Sequence, residues 1–427
     1  MISTQHDTIN TQHDTGLIID PIRWPDIAVA QGSAPRAEIA RLLFGAAAAR
    51  LPILVRLPDG RQLGAGAPDA PLMTVRDPAA FFTRVGAGGL IGFGESYMAG
   101  DWDCEDLTGL LTVFARNVSD LVPTPFQRLR SLAVRRQPTT DDQNKAGARR
   151  NIGRHYDLSN DFFALFLDES MTYSSALFEP GADGTPAAAD RLLGQAQQRK
   201  IDRLLDEARV RPGCQLLEIG TGWGELAIQA AKRGALVRTV TISAAQHELA
   251  ARRVAEAGLA DRVSVELRDY RDVDGQYDAI CSVEMIEAVG DRYWDTYFAR
   301  LDQLLAPGGR VALQTITMPH DRMMATRRTY TWIHKYIFPG GLIPSVTAIE
   351  ASLSRTRLRV SGRHDFGPHY AETLRIWRDR FGARGDVVAA LGFDEVFRRM
   401  WLFYLCYAEA GFRAGYLNVS QLTLDRA

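Results

Sequence analysis

The residues best equipped for chemistry sit in the second half of this 427-residue chain. Glu218-Ile-Gly-Thr-Gly-Trp-Gly falls where an apolar run, Cys214-Gln-Leu-Leu-Glu-Ile, hands over to helical spacing from Glu225 to Arg233. Gly220, Gly222 and Gly224 let the backbone approach a ligand closely, beside the positive end of a helix. Their Gly-x-Gly-x-Gly spacing is not the Gly-x-Gly-x-x-Gly of dinucleotide binders. Glu218, two positions ahead of the first glycine, can face a cationic amino-acid group, and that combination suits S-adenosylmethionine. A plain strand-to-helix turn is the competing reading, but Trp223 between two glycines is hard to explain by it. In nucleotide sites of this kind an acid often ends the second strand and holds ribose hydroxyls. Here Val237-Arg-Thr-Val-Thr-Ile-Ser offers Thr241 and Ser243, with Gln246 just beyond. Asp269 and Tyr270 follow the third strand, where an adenine would lie and Tyr270 could stack on it.

These residues need a scaffold that repeats strand and helix. The pattern predicts strands at 214–219, 237–242, 263–267, 277–283 and 310–315, helices at 225–233, 244–257 and 293–305, and a turn at Pro307-Gly-Gly. Such alternation predicts an α/β fold with a parallel sheet wound on both faces. The N-terminal part reads differently. Residues 39–49 and 106–122 have helical spacing, Leu51-Pro-Ile-Leu-Val-Arg-Leu before Pro58-Asp-Gly reads as strand and turn, and Gly88-Gly-Leu-Ile-Gly-Phe-Gly reads as a flexible stretch. The expected organisation is a disordered tail over 1–18, a small α+β domain over 19–122, a basic linker over 123–150 and one large domain over 151–427.

Composition narrows the function. Fifty basic against 51 acidic residues leave a net charge of −1, so nothing global attracts nucleic acid. Cys104, Cys214, Cys281 and Cys406 show neither metal-ligand spacing nor a disulfide framework, which points to a reducing cytoplasm and no metal. The polar start, with its Thr-Gln-His-Asp-Thr duplication, lacks the apolar core of a signal peptide. No run approaches the roughly 20 apolar residues of a membrane span, so any lipid is met from outside the bilayer. Arg128, Arg130, Arg135 and Arg136, interleaved with Phe126, Leu129, Leu132 and Val134, could dock on an anionic membrane surface or form a solvated linker.

Further motifs follow in order: His155-Tyr-Asp-Leu-Ser-Asn-Asp-Phe-Phe, Met171-Thr-Tyr-Ser-Ser, Asp269-Tyr-Arg-Asp, Ser282-Val-Glu-Met-Ile-Glu-Ala-Val-Gly, Tyr336-Ile-Phe-Pro-Gly-Gly and Pro368-His-Tyr-Ala-Glu-Thr-Leu. With the glycine turn, they make the chain resemble the cyclopropane-fatty-acyl-phospholipid synthase and mycolic acid methyltransferase family, densely over 151–427. Gly94-Glu-Ser-Tyr-Met-Ala-Gly-Asp-Trp is similar to the N-terminal domain of the phospholipid-acting members. The whole chain looks closest to actinobacterial members tied to methyl-branched fatty acids of the tuberculostearic type. The resemblance implies a Rossmann-like class I methyltransferase with a mostly parallel seven-stranded sheet, an N-terminal domain for lipid binding or oligomerisation, and a homodimer. It implies cofactor contacts at Tyr173 and Ser174 besides the segments above. It also implies a bicarbonate ion as proton acceptor, lined by Ser175, Glu287, Gln314, Ile316 and Tyr370. The family usually has Cys at the position of Ser175 and commonly His at that of Gln314. A late family cysteine is Ala408 here, which argues against a cysteine nucleophile.

An alkene is a poor nucleophile and answers only a strong electrophile, such as a sulfonium methyl. The cation left on the chain must be kept from water. Aromatic faces can stabilise it, with Tyr173, Phe178, Tyr336, Phe338 and Trp377 as candidates, and a base must then take a proton. Proton loss with ring closure gives a cyclopropane; a hydride shift first gives a methylene branch. The expectation is the methylene branch, made on an unsaturated phospholipid at the inner face of the membrane. A separate reductase would follow, since no nicotinamide or flavin turn remains. The alternatives are a cyclopropane synthase, methyl transfer to a small polar molecule, and a catalytically silent lipid-binding protein. In purely structural readings Glu287 caps a helix or joins a salt bridge, Tyr370 fills the core and Gln314 bonds only to backbone.

Overall fold

The computed structural model describes residues 11–12, 17–117, 138, 142–145, 147–148 and 158–426. The expected basic linker, with Arg128, Arg130, Arg135 and Arg136, lies almost wholly outside these residues, as does His155. The chain divides into two units, residues 1–134 with 385–410, and residues 135–384 with 411–427. The segment Gly385–Ala410, expected within one domain over 151–427, thus belongs with the N-terminal residues. Its chemistry explains why. The buried Arg399 donates to the carbonyls of Tyr97 (2.6 Å) and Trp102 (3.0 Å), and pairs with Asp103 at 2.8 Å. A buried guanidinium needs such a set of acceptors, and this one lies on N-terminal backbone.

In the first unit, β1 (Thr11–Gln12), inside the tail expected to be disordered over 1–18, pairs with β2 (Ile18–Ile19). A small sheet has the order β4-β3-β5-β6, from β3 (Leu54–Arg56), β4 (Gln62–Leu63), β5 (Leu72–Val75) and β6 (Trp102–Cys104). The helix expected from residue 39 begins at Ala34, because Pro35 sits in its first turn, where a missing N–H costs nothing. The stretch expected to be flexible is helical, as Pro78–Gly88 followed by Leu90–Met98. Of its glycines, Gly92 serves close packing, whereas a Cβ on Gly89 would meet nothing within 4 Å. A Cβ on Gly92 would lie 1.9 Å from the Arg84 carbonyl oxygen, and one on Gly86 would lie 2.6 Å from that of Arg36.

The second unit is built on a seven-stranded sheet of order β12-β13-β11-β10-β7-β8-β9. Strands β7 (Gln215–Ile219), β8 (Leu236–Thr241), β9 (Val263–Leu267), β10 (Tyr277–Val283) and β11 (Leu305–Thr317) run parallel. β13 (Asn418–Arg426) lies antiparallel between β11 and β12 (Leu358–Asp365). Successive residues feed two cores, as the period of a strand requires. Leu216, Ala279, Cys281 and Ala312 pack with Ile201, Leu204 and Leu226, whereas Leu217, Ile280, Val311 and Leu313 pack with Tyr297, Phe298 and Leu301. The turn expected at Pro307-Gly-Gly is a bulge inside β11: Tyr277 pairs with Leu305, then Ala279 pairs with Arg310.

The helix packing generates a pair of opposite expectations. Gly92→Ala should destabilise the protein by about 1–3 kcal/mol, the usual cost of overpacking. Gly45 lies inside the helix Ala34–Ala48 with nothing within 4 Å of a built Cβ, so Gly45→Ala should stabilise it by about 0.5–1 kcal/mol. Urea unfolding of both variants checks the signs.

Candidate active site

The glycine turn joins β7 to the helix Glu225–Lys232. Gly220, Gly222 and Gly224 have φ of +95°, +52° and +91°, which L side chains rarely adopt. Their surroundings differ. A Cβ on Gly224 would meet Ala250 at 3.2 Å, whereas one on Gly222 would meet nothing within 4 Å. The first glycine of that pair serves helix packing, and the second leaves open room beside the turn. Glu218 lies underneath, buried, and accepts the Thr239 hydroxyl at 2.6 Å from its register partner on β8. Burial lifts its carboxyl to about 8, opposed by the Thr239 bond and the charge of Lys200.

The other expected cofactor residues are mostly engaged by groups of the chain itself. Trp223 is buried, donates its indole N–H to Asn160 (2.7 Å) and packs on Phe163, so its side chain anchors the helix Asn160–Ala164. Ser243 caps the helix Ala244–Glu256, and the Thr241 hydroxyl bonds to Gln246 Oε1 at 2.9 Å. These three residues meet at the end of β8, as expected. Asp269 takes three hydrogen bonds from Arg271. Burial pushes its carboxyl up, but those bonds outweigh it and hold the group below its ordinary range. The Arg271 guanidinium also covers the Tyr270 ring at 5.5 Å.

Beyond the turn lies an acidic centre. Glu284 Oε1 accepts from the Ser175 backbone N–H (3.0 Å) and Gln314 Nε2 (2.9 Å), and Oε2 accepts the Tyr370 hydroxyl at 2.7 Å. Glu287 Oε1 accepts from the Ile316 backbone N–H and from the Thr315 hydroxyl at 2.9 Å. Both glutamates keep some accessible surface, but protein surrounds their carboxylates. Burial raises Glu284, against the bonds from Ser175, Tyr370 and Gln314. Burial, helped by the charge of Glu284, raises Glu287 to about 8.

The loop that carries Tyr173, Ser174 and Ser175 is pinned from two sides. Lys200, fully buried on the helix Leu193–Glu207, donates to Ser174 Oγ at 2.7 Å. The helix Gly367–Gly382 holds the Ala176 N–H on Thr373 Oγ1 (3.1 Å) and the Phe178 N–H on His369 Nδ1 (3.0 Å). Burial lowers His369 to about 4, which keeps that nitrogen an acceptor. Tyr173 sits among Phe163, Phe166 and Trp377, with ring centroids at 5.2, 6.2 and 5.3 Å. The turn adjoins this centre: a Cβ on Gly220 would lie 3.5 Å from Met285, between the two glutamates.

Comparison with known proteins fits this geometry. The family profile for mycolic acid cyclopropane synthetase matches residues 143–422. The chain belongs to that family. It is 55% identical to the tuberculostearic acid methyltransferase UfaA1 of Mycobacterium tuberculosis, over 98% of this chain and 99% of that one. It is 36% identical to the cyclopropane-fatty-acyl-phospholipid synthase of Escherichia coli, over 81% and 86%. Among solved structures, mycolic acid cyclopropane synthase CmaA1 complexed with SAH and CTAB matches with a TM-score of 0.58 and 31% identity, over 67% of this chain and 98% of that one. The chain is therefore an S-adenosylmethionine-dependent methyltransferase of the class I fold. Among the described residues, no helix is long and apolar enough to cross a membrane.

The expected bicarbonate pocket can be tested against these contacts, and the ion does not fit. Ser175 N–H, Gln314 Nε2 and Tyr370 OH, which would hold its oxygens, are all spent on Glu284. The Ser175 hydroxyl donates to the Ala176 carbonyl. Glu287 Oε2 lacks a partner, but this single oxygen cannot replace the three donors already taken. An added anion would also face the buried Glu284 carboxylate. Sequence reasoning missed Glu284, although it stands three residues before Glu287 in the same quoted motif. It also missed Lys200, whose signal was its place on the apolar stripe of Leu193, Ala196, Ile201 and Leu204.

A pH dependence follows from Glu287. Its carboxyl, ordinarily near 4.5, stands at about 8 in the folded chain. Folded protein therefore holds a proton there that unfolded protein releases. That contribution to stability is whole below the ordinary value and is lost as pH rises toward the folded one. Between about pH 5.5 and about pH 8.5, the melting temperature of cofactor-free Glu287→Gln should fall less than that of the parent. Parallel curves would assign the acid an ordinary pKa.

Proposed function

We propose that the enzyme transfers one carbon from S-adenosylmethionine to the double bond of an unsaturated, oleoyl-type acyl chain of a membrane phospholipid, and leaves a methylene branch. The observation that carries this reading is open room at Gly222 next to a buried acidic centre flanked by aromatic rings. When bound, S-adenosylmethionine supplies a methyl electrophilic enough for an alkene. Glu218 and the turn hold its cationic end, with Thr241, Ser243, Gln246, Asp269 and Tyr270 toward its nucleoside. Tyr173 and Trp377 keep water from the carbon that becomes positive and offer it their π faces. The near full-length likeness to a tuberculostearic acid methyltransferase supports a branched product. Docking through Arg128, Arg130, Arg135 and Arg136, a homodimer and a separate reductase belong to the same proposal.

Two measurements check it. Gly222→Val fills the room beside the turn, and a folded variant should show no S-adenosylmethionine binding by titration calorimetry; unchanged affinity would return the glycines to a plain turn. Purified protein given S-adenosylmethionine and oleoyl phospholipid should yield fatty acid with exocyclic methylene signals in its proton NMR spectrum. Upfield cyclopropane signals as the sole product would make it a cyclopropane synthase instead.

A further inference from the structure

We infer that Glu284 is the proton acceptor of the reaction, an internal carboxylate that takes the place of a bound anion. This rests on the carbon transfer proposed above. Three of the residues expected around the ion present their donors to Glu284 at 2.7–3.0 Å. A carboxylate and a bicarbonate ask for the same donors, and here the chain supplies the carboxylate itself.

The backbone supports this assignment. Glu284 has φ of +49°, one of only four such non-glycine residues among those described. A glutamate there is strained where a glycine would not be. Its N–H donates to the Gln314 carbonyl at 2.7 Å, so the end of β10 is held while the side chain turns into the donor cluster. Gln421 Nε2 donates to Gln314 Oε1 at 3.1 Å, which leaves the Gln314 amide N–H₂ for Glu284. Burial raises Glu284 above the ordinary carboxylate range, and a stronger base results.

The electron count closes without a further reagent. The alkene π pair forms the bond to the methyl carbon while the C–S pair leaves with sulfur. The neighbouring carbon becomes positive, and a hydride shift moves the charge to the methyl-bearing carbon. A lone pair of Glu284 takes a proton from the new methyl, and the C–H pair becomes the exocyclic double bond. The neutral acid returns its proton to water once product leaves.

The test compares the full-length parent with Glu284→Gln and Glu284→Gly in buffer scrubbed of carbon dioxide. The parent should turn over at the same rate with or without added bicarbonate. Glu284→Gln should keep S-adenosylmethionine affinity and lose turnover by about a hundredfold or more. Glu284→Gly suits the backbone angle and empties the donor cluster, so added bicarbonate should restore part of its rate. In ¹³C NMR, labelled bicarbonate should show saturable broadening with Glu284→Gly and none with the parent. A parent that slows on scrubbing or binds labelled bicarbonate overturns the assignment, as does full activity in Glu284→Gln. A parent inactive on oleoyl phospholipid removes only the lipid reading, because the labelled-bicarbonate measurement still decides the role of Glu284.

Discussion

A buried carboxylate is tolerated only where donors converge on it, and the donors on Glu284 come from three distant segments. Ser175 brings the loop after Met171, Gln314 brings β11, and Tyr370 brings the helix Gly367–Gly382. Each donor is fixed by a contact further out. Gln421, the register partner of Gln314 on β13, holds its amide. Phe412 and Trp377 pack on the Tyr370 ring at 4.6 and 6.1 Å. Thr373 and His369, one turn apart on the Tyr370 helix, hold the N–H groups of Ala176 and Phe178, just after Ser175. The antiparallel edge of the sheet thus exists in part to aim one amide at one carboxylate.

Lys200 ties this centre to the cofactor turn. It is fully buried, and burial lowers it to about 8 against the pull of Glu284, Asp168 and Glu218. Glu284 and Glu218 both feel this buried ammonium. Glu218 and Glu287, both raised to about 8, are held near the point of ionising. An incoming cation favours their charged forms, so a sulfonium donor would find a site whose negative charge grows on its arrival. The same field would stabilise a cation on the acyl chain, and aromatic faces add to it without reacting.

Much of this was legible in the sequence, and the failures have physical causes. The strand over 277–283 falls where its apolar run predicts it, because a central parallel strand is buried on both faces, and the strand over 263–267, at the sheet edge, shows instead as the alternation Val-Ser-Val-Glu-Leu. Gly92 was misread because glycine signals both flexibility and close approach, and only the facing Arg84 carbonyl tells the two apart. Gly385–Ala410 carries no mark of its unit, since its assignment depends on which carbonyls Arg399 meets. In the site, Tyr370, Gln314 and Ser175 do converge, but on a side chain rather than an ion. No spacing rule could show that, because Glu284 reaches them only through a positive φ at the end of a strand.

A base that is part of the chain has consequences for the product. A dissolved ion settles wherever donors and solvent leave it, but a glutamate held by three donors has one position. A cationic intermediate loses whichever proton lies nearest the base, and a difference of about 1.4 kcal/mol between two routes sets a tenfold product ratio. Gln314 then matters less as a contact to substrate than as one of the arms that set where Glu284 points. An imidazole there would present one N–H from a shorter, rigid ring, whereas the amide donates to Glu284 at 2.9 Å and accepts from Gln421 at 3.1 Å at once. With Glu284 as the proposed base, the choice between ring closure and a methylene branch would be built into β11 and β13, one step removed from the atoms that react.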